Sequence, residues 1–246
     1  MITYKSKEDF LNMSKAGKVV KSIHEEIRNN ATEGASLKEL DLIAQKIIEI
    51  SKCQSNFYQY RGYPSYICAS PNDVVVHGIP SDYRLKDGDI LSIDVGAVYS
   101  GLHADAATTY GIGNISNEAK KLIEITESAL LEAINLVEDG QALGTIGEKI
   151  NSIGEKNSYG VVKEYIGHGI GFEMHEEPNV LNYGEKGKGI KLKKGMAICI
   201  EPMFNIGSPE TYVEKDDWTV KTKDGSLSAH FEHTIGLTPD GVVVFT

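Results

Sequence analysis

Cysteine is scarce in this chain. Cys53, Cys68 and Cys199 are odd in number and widely spaced. They offer neither a disulfide framework nor a zinc-ribbon spacing, and read as free thiols in a reducing, cytoplasmic compartment. No apolar run approaches the ~18 residues of a membrane span. The first ten residues are polar and charged, without the apolar stretch of a secretory signal. Basic residues are in deficit, 25 Lys and Arg against 35 Asp and Glu, for a net charge of −10. That balance argues against a protein whose main business is coating DNA or RNA. Also missing are a Gly-x-Ser-x-Gly elbow, a Walker loop and a dinucleotide fingerprint. A chain of 246 residues, 41% apolar, can bury roughly 70–75% of its unfolded surface and needs no staples to build a core.

What the chain has instead is a repetition. Leu85-Lys86-Asp87-Gly88 leads through a short apolar run to Ile93-Asp94, and Leu192-Lys193-Lys194-Gly195 leads through an equal run to Ile200-Glu201, 107 positions on. A fainter echo at an offset of 106 relates Glu33-Gly34-x-x-Leu37 to Asp139-Gly140-x-x-Leu143. Around these phrases the order is helix, helix, strands, twice. Ser6 with Asp9 forms a capping box before Phe10, Met13, Val20, Ile23 and Ile27 at helical spacing. Ser36 with Glu39 opens a second helix along Leu40, Ile43, Ala44, Ile47 and Ile48. Helices are predicted again from about Asn117 to Val137 and from about Leu143 to Asn157, with β-like sequence after each pair. This reads as an α+β fold, helices on one side of a mostly antiparallel sheet. No linker separates the halves, about 1–114 and 115–246, which favours one catalytic domain over residues 1–246.

Duplicated halves that place an acid at the same strand position suggest acids facing one another across a pseudo-twofold axis. Asp94 and Asp105 flank Val98-Tyr99-Ser100-Gly101. A tight turn centred between 99 and 100 would set them directly opposite, with Cβ atoms ~4.5–5.5 Å apart. Like charges that close need an offset, and a divalent cation supplies one. His168, set among glycines in Gly167-His168-Gly169-Ile170-Gly171, is a further candidate ligand. So is Glu201, at the end of an apolar run and held extended by Pro202. So is Glu232, on a strand where His230, Glu232 and Thr234 share one face. One histidine and four carboxylates suit Mn, Fe(II), Co or Zn. Singly, each residue is more often structural. Together, on a duplicated scaffold, they indicate a metal site.

The ordered set Asp94, Asp105, His168, Glu201, Glu232 resembles the five metal ligands of the methionine aminopeptidases, which have the pita-bread fold. The surrounding strings carry the same resemblance: Val76-His77-Gly78-Ile79-Pro80, Ile93-Asp94-Val95-Gly96, His175-Glu176-Glu177-Pro178, Ile200-Glu201-Pro202-Met203, and Leu227-Ser228-Ala229 running into Glu232-His233-Thr234. It covers essentially the whole chain. Only 32 residues separate His168 from Glu201, so the chain resembles the short, bacterial type I form. The resemblance implies two divalent ions per chain (Co, Mn, Fe(II), Zn or Ni), bridged by Asp105 and Glu232, with Asp94 completing one site and His168 and Glu201 the other. A shared hydroxide would attack the first peptide bond of nascent proteins whose second residue is small, with Glu201 shuttling protons. His175 would bond the oxyanion and His77 the leaving-side amide. Tyr60, Tyr63, Cys68 and Trp218 match family pocket positions, with Phe57 at a nearby variable one.

Some residues depart from the family pattern. Met174 stands where an aromatic is usual, His230 where Gln is common, and Phe172-Glu173 replaces a pair with a basic member. Met174 bears on pocket selectivity and His230 on the surroundings of Glu232. His103 shares a face with Asp105 by parity and reads as packing or support. The alternatives are a proline-directed aminopeptidase or dipeptidase on the same scaffold, and a non-catalytic binding protein that kept the fold. The first normally carries a large N-terminal domain, and the second typically loses ligands. The resemblance implies a monomer acting on nascent polypeptide N-termini, with no DNA or membrane partner. Lys186, Lys188, Lys191, Lys193 and Lys194 form a basic stretch suited to a transient ribosome contact.

Overall fold

A computed structural model describes residues 1–246 and no helix in it is long and apolar enough to cross a membrane. The chain opens with α1 (Lys7–Asn30) and α2 (Leu37–Ile50), then β1 (Gln54–Ser55), β2 (Cys68–Pro71), β3 (Val74–Val76), β4 (Ile90–Tyr99) and β5 (Leu102–Gly111). The pattern repeats with α3 (Asn117–Ile134) and α4 (Leu143–Lys156). After them come β6 (Gly160–Val161), β7 (Gly167–Gly169), β8 (Glu176–Val180), β9 (Ala197–Ile200) and β10 (Met203–Asn205). The last strands are β11 (Thr211–Val213), β12 (Val220–Thr222), β13 (Ser228–His230), β14 (Glu232–Thr238) and β15 (Gly241–Val244).

Local chemistry explains the helix starts. The Ser6 hydroxyl accepts from the Asp9 amide while Asp9 accepts from the Ser6 amide, and Ser36 with Glu39 does the same. Each box satisfies two donors that a helix end would otherwise leave bare. The apolar stripe of α1 is buried as its spacing requires, with Met13, Val20, Ile23 and Ile27 at 0% exposure. The third helix stops at Ile134, three residues before the expected end.

Seven strands form the spine of the main sheet in the order β1-β4-β5-β14-β9-β7-β8, with β2 added on β4 and β15 on β14. Its ladders are antiparallel. The order reads symmetrically about the β5–β14 junction, so β4 answers to β9 and β5 to β14. The repeated phrases make equivalent hydrogen bonds. The Gly34 amide donates to the Leu85 carbonyl at 2.8 Å, and Gly140 to Leu192 at 2.8 Å. Gly88 and Gly195, at φ 96° and 94°, turn the chain into the two acid-bearing strands. These left-handed conformations favour glycine.

One face of β4 and β5 packs against the first helix pair through Leu91, Ile93, Val95, Ala104 and Ala106. The second pair covers Ile198, Ile200, Ile235 and Leu237. Burying each of these valine, leucine and isoleucine side chains stabilises by roughly 1.5–3 kcal/mol. The opposite face is left free for polar side chains, and the candidate ligands stand there.

The β4–β5 hairpin corrects one expectation. Its turn is centred on Ser100-Gly101, both at positive φ (50° and 77°), so Tyr99 pairs Leu102. A two-residue turn with both residues left-handed matches the twist of the flanking strands. Asp94 therefore pairs Ala107, and Asp105 pairs Gly96. The two acids are diagonal neighbours, not direct opposites. Because the shift is two residues, side-chain parity survives and both still face the same way.

Candidate metal centre and substrate pocket

Four carboxylates meet where the symmetric strands converge. Asp105 and Glu232 come from the adjacent central strands, with Glu232 paired to Ala107, two residues along from Asp105. Asp94 and Glu201 flank them from β4 and from the end of β9. Thr234 locks the junction. Its hydroxyl accepts from the Asp105 amide at 2.8 Å and donates to the Asp105 carbonyl at 2.8 Å. His168 reaches in from β7, with Nε2 3.7 Å from Glu201 Oε1 and 4.0 Å from Glu232 Oε1. Its Nδ1 donates to the Gly169 carbonyl at 2.8 Å. That bond fixes the tautomer and leaves Nε2 as a free lone pair directed at the acids.

Burial raises the affinity of all four acids for protons. The Asp105 carboxyl is pushed up to about 7, chiefly by desolvation. Asp94, Glu201 and Glu232 are displaced upward for the same reason and then by one another's charge. Burial holds His168 neutral, down to about 3. Asp94 Oδ1 and Glu232 Oε1 are buried without any hydrogen-bond partner. Desolvated like charges with orphaned oxygens are unfavourable alone, and a divalent cation is the natural complement. Ligand atoms of Asp94, Asp105 and Glu232 lie within 4.8 Å of one another, as do those of His168, Cys199 and Glu232. These residues fit a metal centre.

The pH dependence of the metal-free protein follows. All seven histidines are depressed on folding and the unfolded ones still carry part of a proton near pH 6.5, so the carboxylates act alone only above about pH 7.5. A folded pKa raised above the unfolded value means that the unfolded state releases its proton first. Stability is therefore lost as pH rises through the folded pKa. EDTA-treated protein is expected to melt lower at pH 8.5 than at pH 7.5, by about 2–4 °C for each kcal/mol lost at this length. Added Mn²⁺ should shrink the difference. A melting temperature that rises with pH in the absence of metal would rule this origin out.

Beside the acids lies a cavity of about 410 Å³. All thirteen residues assigned to ligand, catalytic or pocket positions line it: the five candidate ligands, His77 and His175, and Phe57, Tyr60, Tyr63, Cys68, Met174 and Trp218. The fourteenth is Arg61, which no motif marked. Phe57, Tyr63, Cys68 and Met174 are buried together, with Tyr60 and Trp218 packed against them. Edge-to-face contacts join Tyr63 to Phe57 and to Trp218, with ring centroids 6.4 and 5.0 Å apart. Cys68 pairs Asp94 across β2 and β4, so the apolar wall and the acids meet at one register.

His77 sits at φ 59°, a region that non-glycine residues rarely occupy. The next residue must be glycine, because a Cβ on Gly78 would lie 2.3 Å from the Ala69 carbonyl oxygen. Burial lowers the His77 imidazole to about 4. The His175 ring lies 4.4 Å from His168, and its Nδ1 is 2.9 Å from the Tyr60 hydroxyl. Partial desolvation by the cavity wall and then the charge of Arg61 lower its pKa, although the residue reaches solvent.

Three supporting residues became visible only in space. Arg61 carried no motif, Cys199 stood inside an apolar run, and Thr234, though within the string that follows Glu232, gave no sign of its bonds to Asp105. His230 is buried with Nε2 unpaired, 3.7 Å from Glu201 Oε2. His103 bonds Asn56 at 3.0 Å, a supporting contact. The expected single strand around Glu232 is broken at Phe231 into β13 and β14.

The site defines a metallopeptidase. The sequence pattern of metallopeptidase family M24 matches residues 11–239, and the chain belongs to that family. Within it, the chain belongs with the methionine aminopeptidases. Methionine aminopeptidase 1 of Bacillus subtilis is 44% identical over 246 residues, covering 100% of this chain and 99% of that one. The crystal structure of a methionine aminopeptidase from Thermotoga maritima superposes with a TM-score of 0.98 at 39% identity, covering 100% and 99% of the two chains. A prolidase from Pyrococcus furiosus shares the fold alone, with a TM-score of 0.78 at 23% identity. This chain spans 65% of that prolidase's length, and 99% of this chain is covered.

Proposed function

We propose that this chain releases the N-terminal methionine from nascent polypeptides whose second residue is small, through a pair of divalent metal ions. The observation that carries the reading is the meeting of all five candidate ligands with an aromatic and sulfur-lined slot in one cavity. Asp105 and Glu232, on the central strands, would hold both ions, with Asp94 on one and His168 with Glu201 on the other. When bound, the ions supply Lewis-acid polarisation of the first peptide carbonyl and a water of low pKa.

The chain's own residues do the rest. The buried slot of Phe57, Tyr63, Cys68, Met174 and Trp218 takes the methionine side chain and excludes water. With the Tyr60 hydroxyl donating to Nδ1, His175 keeps a proton on its other nitrogen and can donate it to the oxyanion. His77 contacts the amide nitrogen that becomes the new amine. The Glu201 carboxylate takes a proton from the attacking water and returns it to that nitrogen as the C–N bond breaks.

The decisive experiment compares Met-Ala-Ser with a Gly-Pro peptide, using Mn²⁺ with an EDTA control. Release of methionine from Met-Ala-Ser, abolished by EDTA and absent with Gly-Pro, is the expected result. Cleavage of Gly-Pro instead would assign the chain to the proline-directed relatives.

The three free cysteines suit a reducing, cytoplasmic compartment, where the chain would act as a monomer. The exposure of Lys186, Lys188, Lys191, Lys193 and Lys194, on the connection from β8 to β9, supports contact with ribosomal RNA. Changing these lysines to glutamate should weaken cosedimentation with ribosomes and leave tripeptide turnover intact. Unaltered cosedimentation would sink that contact.

A further inference from the structure

We infer that the segment Ile2–Lys5 is a strap that positions His175 for the reaction, with the Lys5–Glu176 ion pair as its anchor. This deepens the proposed function and rests on the role given there to His175.

Glu176 follows His175 directly, and both of its carboxylate oxygens are engaged. Oε1 accepts from the amides of Phe172 and Glu173 at 2.7 and 3.1 Å, closing the loop 172–176 on itself. Oε2 accepts from the Thr3 hydroxyl and from Lys5 Nζ, the latter at 2.7 Å. The side chains of Lys5 and Glu176 are 1% and 5% exposed, so the pair is sealed from water.

The strap is itself held at both ends. The Lys5 amide donates to the Gly195 carbonyl at 2.7 Å, and Ile2 bridges to Glu177. Gly171 gives the Lys5 stem room, since a Cβ there would lie 2.0 Å from Lys5 Cε. His175, by contrast, is exposed, and its side chain is steadied by Tyr60 alone in hydrogen bonding. A short loop thus carries two cavity residues, Met174 and His175, and its buried polar anchor comes from the far end of the sequence. Lys5 and Glu176 do not line the cavity, so they act through the loop as positioning residues.

The test uses the full metal-loaded chain and the variants Lys5→Met and Thr3→Val. Misplacing a catalytic group by about 1 Å can cost about 100-fold. Lys5→Met is therefore expected to lower kcat on Met-Ala-Ser by about 10–100-fold. Bound metal should stay within about twofold, because no ligand is touched, and any rise in KM through Met174 should be smaller than the fall in kcat. Amide hydrogen exchange should quicken at 172–176 and not in β4 or β5. Thr3→Val, which removes the hydroxyl that donates to Glu176 and accepts from Lys5 but keeps the ion pair, should show the same pattern more weakly.

Should Lys5→Met fail to fold, Lys5→Met/Glu176→Gln leaves no unpaired buried charge and is read by the same criteria. An unchanged kcat would overturn the proposal. So would a fall in kcat accompanied by faster exchange throughout β4 and β5, the mark of general loosening. A wild-type enzyme that released no methionine would instead defeat the proposed function, and the exchange comparison would still decide whether the strap holds the loop.

Discussion

Replacing Asp105 with asparagine is expected to abolish methionine release while leaving the fold intact. The loss should exceed the 10–100-fold typical of residues that only support a metal ligand. Asparagine fills nearly the same volume but carries no charge, and Asp105 is the proposed bridge between two ions. The backbone there is held by Thr234, which bonds both the amide and the carbonyl of Asp105, and an asparagine Oδ1 can still accept from the Ala106 amide as the carboxylate does. Three acids then share the site where there were four, so the metal-free variant should melt no lower than wild type at pH 8 and can be compared with it directly. Metal content, activity and melting temperature are measured together. A variant that kept full metal content and turnover would remove Asp105 from the centre.

His175→Ala tests a different link, from geometry to transition-state stabilisation. Losing one oxyanion donor typically costs about 10²–10³ in kcat. The His175 side chain is exposed, so its truncation opens no buried cavity, and stability should change by no more than about 0.5 kcal/mol. KM and metal affinity should hold, because the ring stands beside His168 and is not one of the five proposed ligands. A large kcat defect with a near-native melting curve is the expected outcome. Equal losses in metal affinity would show that His175 supports His168 rather than the substrate.

Much of this site was legible in the chain because its signals are local or repeated. The two capping boxes satisfy their own helix ends within four residues, so Ser6 and Ser36 mark helix starts wherever the helices later pack. The phrases ending at Asp94 and Glu201 repeat at a fixed spacing because each makes the same turn and enters the same kind of strand. The equivalence of Asp105 with Glu232 was not readable in this way. Eleven positions separate Asp94 from Asp105, a single hairpin, whereas thirty-one separate Glu201 from Glu232, and β10 to β13 fill the excursion. The offset is therefore lost in the sequence and restored in the sheet.

The hairpin shows the same division of labour. Alternation of side chains put Asp94 and Asp105 on one face, and that parity is intrinsic to an extended chain. Which residues stand opposite one another depended on where the turn closed, and the left-handed pair Ser100-Gly101 moved that point by one residue. The roles of Thr234, Arg61 and Lys5 were further still from view, because their partners are distant in sequence. Thr234 bonds Asp105 across 129 positions, and Lys5 bonds Glu176 across 171. Sequence by itself determined the donor types, the helix pairs and the faces, all set by short-range covalent geometry. Only the tertiary structure decided register, burial and the partners of each buried charge, because those follow from which distant segments exclude water together.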